Sequence, residues 1–211
     1  MRILIADDHH FIRKGIRETL TEAFGLLEID EASDGEEASK LLASRSYDLA
    51  IVDIAMPGKG GLELIKDALA LRPSLRFLVM SVYSEREFAE RAYRSGAMGY
   101  LTKASDPAEF IEAVRRILGG RSYVSPEYSE LLVRGLGQGQ EASVSLSDRE
   151  LAVLSLFSSG ASLTEIGRKL HLSVKTVSSY KTRTMEKLGL TKNAELIAYA
   201  LSNDLALPPS L

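Results

Sequence analysis

Ile3-Leu4-Ile5-Ala6-Asp7-Asp8 stands near the start of the chain, four apolar residues followed at once by two acids. The form recurs: Asp53 follows Leu49-Ala50-Ile51-Val52, and Lys103 stands just after Gly99-Tyr100-Leu101. In an open parallel sheet the carboxyl ends of the strands share one edge, and ligands bind there. The pattern therefore predicts that three acids and a lysine converge in one crevice.

Carboxylates that lie close together repel one another unless a cation lies among them. A hard cation such as Mg2+ suits oxygen ligands of this kind. An acid that ends a strand is more often a solvent-facing turn residue when it stands alone. Four charged side chains at the ends of three strands reverse that preference and predict a Mg2+ site.

Strand-like and helical patterns alternate through the first part of the chain, which predicts an α/β domain with a (βα)5 doubly wound parallel sheet. Asp34 and Asp106 mark helix starts, and Gly119-Gly120 marks the last helix end. The strands are predicted at about 2–6, 27–32, 48–53, 76–81 and 98–102, and the helices at about 10–24, 34–45, 62–72, 85–95 and 106–119.

Composition limits the classes of protein and the kinds of site that the sequence allows. The chain has 211 residues, 45% of them hydrophobic, and no cysteine, so disulfides and thiolate metal sites are excluded. We find no apolar run long enough to cross a membrane and no signal peptide at Met1-Arg2-Ile3-Leu4, which favours a cytoplasmic protein. Residues 145–211 contain 8 Lys+Arg against 6 Asp+Glu, so the last third alone carries a basic excess, which weakly favours an anionic partner there.

Residues 1–121 resemble the receiver domain of two-component response regulators. The resemblance is carried by Asp7-Asp8-His9, by the run from Ile51 to Gly61 around Asp53, by Ser81, and by Tyr100-Leu101-Thr102-Lys103. It implies that Asp53 accepts a phosphoryl group from a sensor histidine kinase.

The same resemblance gives roles to the surrounding residues. Asp8, Asp53 and the backbone carbonyl of Ala55 would hold Mg2+, while Asp7 would act through water. Lys103 and Ser81 would stabilise the phosphoryl oxygens, and Tyr100 would turn inward as Ser81 moves. The need for two cations, Mg2+ and Lys103, also follows from the charge that phosphoryl transfer places on equatorial oxygens. His9 is not expected to bind the metal, since Mg2+ prefers oxygen donors.

The two side chains that flank the path of hydrolytic water in this family correspond to Ala55 and Tyr83. Ala55 cannot orient water and Tyr83 could shield the site, so we expect slow self-dephosphorylation. Two other functions compete with a regulator: a Mg2+-dependent phosphohydrolase that uses Asp53 covalently, and a scaffold that is never phosphorylated. We find no acid or base near Asp53 for turnover, so we expect no enzyme, and the complete acid, lysine and serine set argues against a dead site.

The pattern degrades over residues 122–144, where the glycine-rich run from Arg134 to Gln140 predicts a flexible linker. A small all-α domain is predicted over 145–205 and a disordered tail over 206–211. Ser147-Asp148-Arg149-Glu150 and Ser162-Leu163-Thr164-Glu165 are capping-box patterns, and Ser173 opens a longer helix that ends at Leu188-Gly189. Two helices joined by a tight turn, the second of them basic, form a helix-turn-helix.

This stretch resembles the LuxR-type DNA-binding domain of the NarL/FixJ class of response regulators. The supporting residues include Leu146 to Glu150, Glu165-Ile166, Leu172-Ser173, Lys175-Thr176-Val177 and Lys187-Leu188. The order of receiver, linker and LuxR-type domain is the architecture of that class. The resemblance implies a transcription regulator that binds double-stranded promoter DNA at a near-palindromic site.

A major groove about 12 Å wide admits a helix. We expect Val174, Val177 and Leu188 to face the core of the domain. The opposite face would bind DNA: Ser178, Ser179 and Thr182 would meet base edges, while phosphates would be contacted by Lys175, Tyr180, Lys181 and Arg183, with Thr176 beside them.

The last helix, at about residues 192–201, is more apolar than a small bundle needs. In the family the corresponding helix pairs two DNA-binding domains across a two-fold axis, so a homodimer is implied. The dimerisation residues would be Leu196, Ile197, Tyr199 and Ala200.

Overall fold

The computed structural model describes residues 1–83, 85–135, 146–203 and 205, and the side chains of all of these except 86, 87 and 131–135. The chain divides into two compact units, Met1–Arg134 and Gly135–Leu211. The predicted tail over 206–211, the predicted linker residues 136–144 and residue 145 lie outside the described part of the chain.

The first unit is a five-stranded parallel sheet in the order β2-β1-β3-β4-β5, with helices in the crossovers. This confirms the predicted (βα)5 fold, and each predicted element lies within about two residues of its observed bounds. The strands are β1 (Arg2–Ala6), β2 (Glu28–Ala32), β3 (Leu49–Val52), β4 (Phe77–Ser81) and β5 (Gly99–Thr102); the helices are α1 (His10–Phe24), α2 (Gly35–Ser44), α3 (Gly61–Leu71), α4 (Glu85–Arg94) and α5 (Pro107–Leu118).

The sheet is covered on both faces, as its apolar strands require. Every residue of β3 and β4 is buried, and residues 3–6 of β1 are no more than 1% exposed. β1 pairs with β3 from Ile3 opposite Leu49 to Ala6 opposite Val52. The amide N–H of Asp53 then donates to the carbonyl of Ala6 over 2.8 Å, so the acids that follow these two strands come out side by side.

The strand order reverses direction at β1, because the chain passes from β1 outward to β2 and then returns to β3 on the other side. Open α/β sheets bind their ligands at such a switch point, beyond the carboxyl ends of the strands. Asp7, Asp8 and Asp53 all stand there.

The segment predicted as a flexible linker begins with a helix, α6 (Pro126–Gly135), which the sequence reasoning missed. Tyr123 and Tyr128 are each only 6% exposed and contact Tyr93 of α4 within the first unit. The local pattern looked irregular because these two buried tyrosines contact α4 and α5 rather than forming an apolar stripe of their own. The remaining linker residues stay a prediction.

The second unit is all helical, as predicted. Its helices are α7 (Asp148–Ser158), α8 (Leu163–Leu170), α9 (Val174–Leu188) and α10 (Asn193–Ser202). α9 packs on α7 and α8, and α10 packs on α7. Among the described residues, no helix has the length and apolar character to cross a bilayer.

Three of these helices begin with a residue whose side chain caps the helix N-terminus. Ser147 and Ser162 each form a complete capping box, with Glu150 and Glu165 respectively, and Ser173 accepts from the amide of Thr176. Each such cap is worth about 1 kcal/mol. The turn between α8 and α9 is tight: a Cβ on Gly167 would lie 2.7 Å from the carbonyl oxygen of Leu172, so only glycine fits.

Candidate functional site

The crevice at the switch point brings together the acids and the lysine that the sequence singles out. Lys103 Nζ lies 2.7 Å from Asp7 Oδ2 and 2.7 Å from Asp53 Oδ2. All three side chains are at most 7% exposed. Since Lys103 follows β5 and the acids follow β1 and β3, the ends of three strands form this cluster.

Burial governs the ionisation of the cluster. It raises the pKa of the Asp53 carboxyl above its usual value, and the nearby Lys103 ammonium offsets only part of that rise. For Lys103, burial alone would lower the pKa, but the carboxylates of Asp53 and Asp7 outweigh it and raise the pKa. The lysine therefore stays protonated, and one ammonium serves two carboxylates.

Asp8 and His9 complete the rim. His9 Nδ1 lies 2.7 Å from Asp8 Oδ1 and 3.1 Å from Asp7 Oδ1, and the His9 amide donates to Asp7 Oδ1. One potential ligand atom from each of Asp7, Asp8, His9 and Asp53 lies within 4.8 Å of the others. Three carboxylates at this spacing form an oxygen-rich site that suits a hard divalent cation.

The loop after β3 is shaped around Asp53. The Ala55 amide donates to Asp53 Oδ1 over 3.3 Å, which orients the carboxylate. Gly61, the first residue of α3, lies so close that a Cβ there would be 2.1 Å from the carbonyl oxygen of Asp53. A side chain at position 61 would therefore displace the backbone that carries Asp53.

Ser81 is the last residue of β4 and Tyr100 lies within β5, and both side chains are buried. Ser81 Oγ accepts from the Tyr83 amide over 3.4 Å, and the Tyr100 hydroxyl donates to the Tyr83 carbonyl over 2.9 Å. Tyr100 is only 1% exposed, so it already lies inside, whereas we expected it to turn inward later. The Tyr83 ring, which we expected to shield the site, stacks inside on Phe88 of α4 at 4.6 Å.

On the second unit, one face of α9 is open to solvent. Lys175, Ser179, Thr182 and Arg183 are exposed, while Val177 and Thr184 are fully buried. Five of the predicted DNA-contacting residues line one shallow recess of about 270 Å³: Lys175, Thr176, Ser179, Tyr180 and Arg183. A helix with a cationic and hydroxyl-bearing outer face, held by a tight turn, can enter a DNA major groove.

Comparison with known proteins agrees with both halves. Residues 3–115 match the family model of the response regulator receiver domain, and residues 144–200 match that of bacterial regulatory proteins of the luxR family. The chain belongs to the two-component response regulators. It is a DNA-binding transcription regulator of the class with a LuxR-type domain, and this family consists of regulators rather than enzymes, which removes the phosphohydrolase alternative.

Relatives match over nearly the whole chain. The response regulator GacA of Pseudomonas aeruginosa is 33% identical over 208 residues, covering 97% of each chain. The oxygen regulatory protein NreC of Staphylococcus carnosus is 35% identical over 214 residues, covering 97% of this chain and 99% of its own. A solved structure of RcsB from Salmonella enterica serovar Typhimurium, bound to promoter P1flhDC in the presence of phosphomimetic BeF3-, superposes with a TM-score of 0.64 at 30% identity, covering 96% and 98% of the two chains.

Several positions of this response regulator differ from the sequence-based expectation. Val174 is 46% exposed rather than in the core, and Leu188 is only partly buried. Ser178 is half-buried at the edge of the face rather than on it. The helical phase explains this, because the buried stripe runs through Val177 and Thr184.

Lys181, which is expected to contact phosphate, also has partners within its own unit in this response regulator. Its Nζ lies 5.0 Å from the centre of the Phe157 ring on α7 and donates to Asn193 Oδ1 on α10 over 3.1 Å. Sequence reasoning also missed the ion pair of Lys187 with Glu150, 2.6 Å long, which ties α9 to α7. Its only sequence signal was the acid of the first capping box.

The apolar residues of α10 divide into two sets. Leu196 and Ala200 are fully buried within the unit, so they hold α10 on its own domain and cannot face a partner. Ile197 and Tyr199 are half-buried, and Leu201 is 58% exposed. Of the four residues predicted for dimerisation, Ile197 and Tyr199 therefore remain available, and Leu201 adds exposed apolar surface.

Proposed function

We propose that Asp53 is the phosphoacceptor of this response regulator, and that its phosphorylation by a sensor histidine kinase controls promoter binding by the LuxR-type domain. The observation that carries the proposal is the buried cluster in which Asp53, Asp7 and Lys103 meet at the sheet switch point. In the transfer, the Asp53 carboxylate forms a P–O bond as the P–N bond of the phosphohistidine breaks. The kinase histidine leaves with the electron pair of that bond.

Mg2+ fits the donor set, because three carboxylates offer oxygen atoms within 4.8 Å of one another. Asp8, Asp53 and the carbonyl of Ala55 would hold it, with Asp7 acting through water. When bound, Mg2+ supplies positive charge to the phosphoryl oxygens. His9 is placed to orient Asp7 and Asp8 by hydrogen bonding rather than to act as a ligand.

The chain's own residues supply the rest of the transfer chemistry. The Ala55 amide orients the attacking carboxylate. Lys103 is protonated and already within 2.7 Å of Asp53, so it can pair with the incoming charge. Ser81 would exchange its contact with the Tyr83 amide for a hydrogen bond to a phosphoryl oxygen.

In the DNA complex, the exposed face of α9 would lie in the major groove. Lys175 and Arg183 would bind phosphates, which give affinity without sequence information, while Ser179 and Thr182 would reach base edges. Solved structures of the relative RcsB contain promoter DNA, which supports this arrangement. A cytoplasmic location is part of the proposal, since it would give the protein access to promoter DNA.

A homodimer on a near-palindromic site follows from the family resemblance, and one solved structure shows two RcsB dimers bound to DNA. In this chain Ile197, Tyr199 and Leu201 offer the apolar surface on α10 that such a pairing would use.

Phosphoryl labelling tests the proposal. Purified wild type and Asp53→Ala are incubated with a radiolabelled small phosphodonor and Mg2+, with Asp48→Ala, at the end of the loop before β3, as the matched control. Labelling of wild type and Asp48→Ala but not of Asp53→Ala supports the proposal. Label on Asp53→Ala overturns the proposal in favour of another phosphoacceptor. No label on any of the three overturns it in favour of a scaffold.

A further inference from the structure

The start of α6 is fastened to the receiver by a buried hydrogen bond. The Ser125 hydroxyl donates to Glu85 Oε2 at the first residue of α4, and the two residues are only 3% and 8% exposed. Ser125 Oγ also accepts from the Tyr128 amide over 3.0 Å, as a helix N-cap does. One hydroxyl thus caps α6 and ties it to α4.

Tyrosines extend this attachment on both sides. The rings of Tyr93 on α4 and Tyr128 on α6 stack at 5.7 Å, and the Tyr93 hydroxyl donates to the carbonyl of Tyr123 over 2.8 Å. The Tyr123 hydroxyl in turn donates to Glu109 of α5 over 2.8 Å. Residues 123–128 are therefore attached to both α4 and α5. We call the bond between Ser125 and Glu85 the latch.

Neighbouring acidic side chains act against the latch. Burial raises the pKa of Glu85, and the nearby carboxylates of Glu109 and Glu127 raise it further, while the Ser125 hydroxyl opposes the rise. A cavity of about 460 Å³, lined also by Asp106, lies beside the bond. Moving Glu85 away from Glu109 and Glu127 relieves repulsion among these acids, while release of α6 also exposes the buried ring of Tyr128.

A chain of contacts links the latch to the phosphoacceptor crevice. Ser81 Oγ accepts from the Tyr83 amide, and the Tyr83 ring stacks on Phe88 inside α4. Glu85 begins the same helix two residues after Tyr83. Because a phosphoryl group on Asp53 would recruit the Ser81 hydroxyl, it would loosen the hold on Tyr83 and shift the start of α4.

We propose that the latch between Ser125 and Glu85 holds α6 on the unphosphorylated receiver and opens when Asp53 is phosphorylated, which frees the segment leading to the DNA-binding domain. This rests on the proposed function of Asp53. It gives α6 the role of a regulated connector, since a two-state element at its start is biased by the phosphoryl group.

Hydrogen exchange of the Tyr128 and Ser129 amides in the full chain tests the latch, with phosphoryl labelling of Asp53 measured on the same samples. In the unphosphorylated state we expect Glu85→Ala to raise exchange of these amides about ten-fold, the loss of one hydrogen bond to a charged group. Glu85→Gln, which keeps an accepting oxygen, should stay near wild type, and so should the matched control Ser129→Ala on the exposed side of α6. Wild type should reach the Glu85→Ala rate once phosphorylated.

Ser125→Ala serves as a second variant, and it should exchange at least as fast as Glu85→Ala because it also removes the cap. Unchanged exchange in Glu85→Ala, or in labelled wild type, overturns the latch while the role of Asp53 stands. If Asp53 takes no label, the proposed function itself fails. The two failures are thus distinguished within one experiment.

Discussion

At the scale of single residues, the described part of the crevice contains more carboxylates than cationic side chains, and the proposed function depends on this imbalance. Asp7 and Asp53 are each 2% exposed and share the one Lys103 ammonium. Burial of two carboxylates with one lysine leaves negative charge that a divalent cation can neutralise. The cluster is therefore compatible with Mg2+ binding, and phosphoryl transfer to Asp53 stays the proposal.

Replacing Lys103 with methionine tests this balance. The variant keeps the length of the side chain but removes the charge that pairs with Asp53, so phosphoryl incorporation from a small phosphodonor should slow about a hundred-fold, as for loss of one stabilising donor. Lys14→Met is the matched control, because that lysine is 62% exposed on α1. An incorporation rate in Lys103→Met equal to that of the control would contradict the role given to the lysine.

The convergence of these residues could be predicted from the sequence, because strand-end positions in a parallel sheet fix which side chains meet. The state of Tyr100 and the position of Tyr83 could not, since they depend on contacts between side chains on β5, α4 and the β4–α4 loop. The slow self-dephosphorylation expected from Ala55 and Tyr83 stays a prediction.

At the scale of elements, the second unit is stabilised by contacts that the sequence pattern hides. Thr184 looks polar but is fully buried, with its hydroxyl donating to the Tyr180 carbonyl over 2.9 Å. Lys181 and Lys187 each form a contact within the domain, the first with Asn193 and the second with Glu150. Local periodicity predicts that a segment is helical. It does not predict which face of the helix is buried when polar side chains form their hydrogen bonds within the domain.

The ion pair between α7 and α9 predicts a pH-dependent stability. Burial opposes ionisation of Glu150, but the Lys187 ammonium and the Ser147 cap outweigh it and lower the pKa of Glu150 below its usual value. The pair therefore stabilises the folded unit above the unfolded pKa, near 4.5. That contribution is lost as the pH falls through the lower folded pKa.

Lys187→Met should reduce the free energy of unfolding of this unit by about 1–2 kcal/mol near pH 7, because Glu150 stays buried without its charged partner. The difference from wild type should shrink as the pH falls below about 4.5, the usual pKa of the carboxyl. A urea titration read from the amide resonances of α7 and α9 measures it, with exposed Lys169→Met as control. A difference that grows toward acid pH would refute the assignment.

Helix α6 shows the limit of sequence reasoning at this scale. Its anchors are Glu85 and Tyr93, respectively 40 and 35 positions before their partners Ser125 and Tyr128. Local residue patterns do not reveal pairs that lie 35 or 40 positions apart. A segment that precedes several glycines is therefore interpreted as a linker.

At the scale of the whole molecule, the two units differ in charge and in proposed task. The receiver holds the acidic cluster, and the basic excess of residues 145–211 lies in the unit that carries α9. The order of domains could be predicted from the sequence, because the motif residues of both are present. The residues predicted to contact DNA stay a prediction, and the structure adds that Ser178 is half-buried and that Lys181 has partners within its unit.

The outer face of α9 predicts a division between affinity and specificity. Arg183→Ala should weaken binding to specific and random DNA alike and reduce the salt slope by about one. Ser179→Ala should instead change the preference among sites. Fluorescence anisotropy over a range of salt concentrations measures both, and a site-selective loss in Arg183→Ala would contradict the phosphate role.

The most direct test of the central claim is the affinity of the full chain for a promoter site, measured in Mg2+ with and without a small phosphodonor. We predict that the phosphodonor tightens binding by wild type and leaves Asp53→Ala unchanged, because the signal enters only through the carboxylate at the sheet switch point. Equal tightening of both proteins, or none in a wild type shown to be labelled at Asp53, would contradict the coupling of the acidic crevice to the DNA-binding helix.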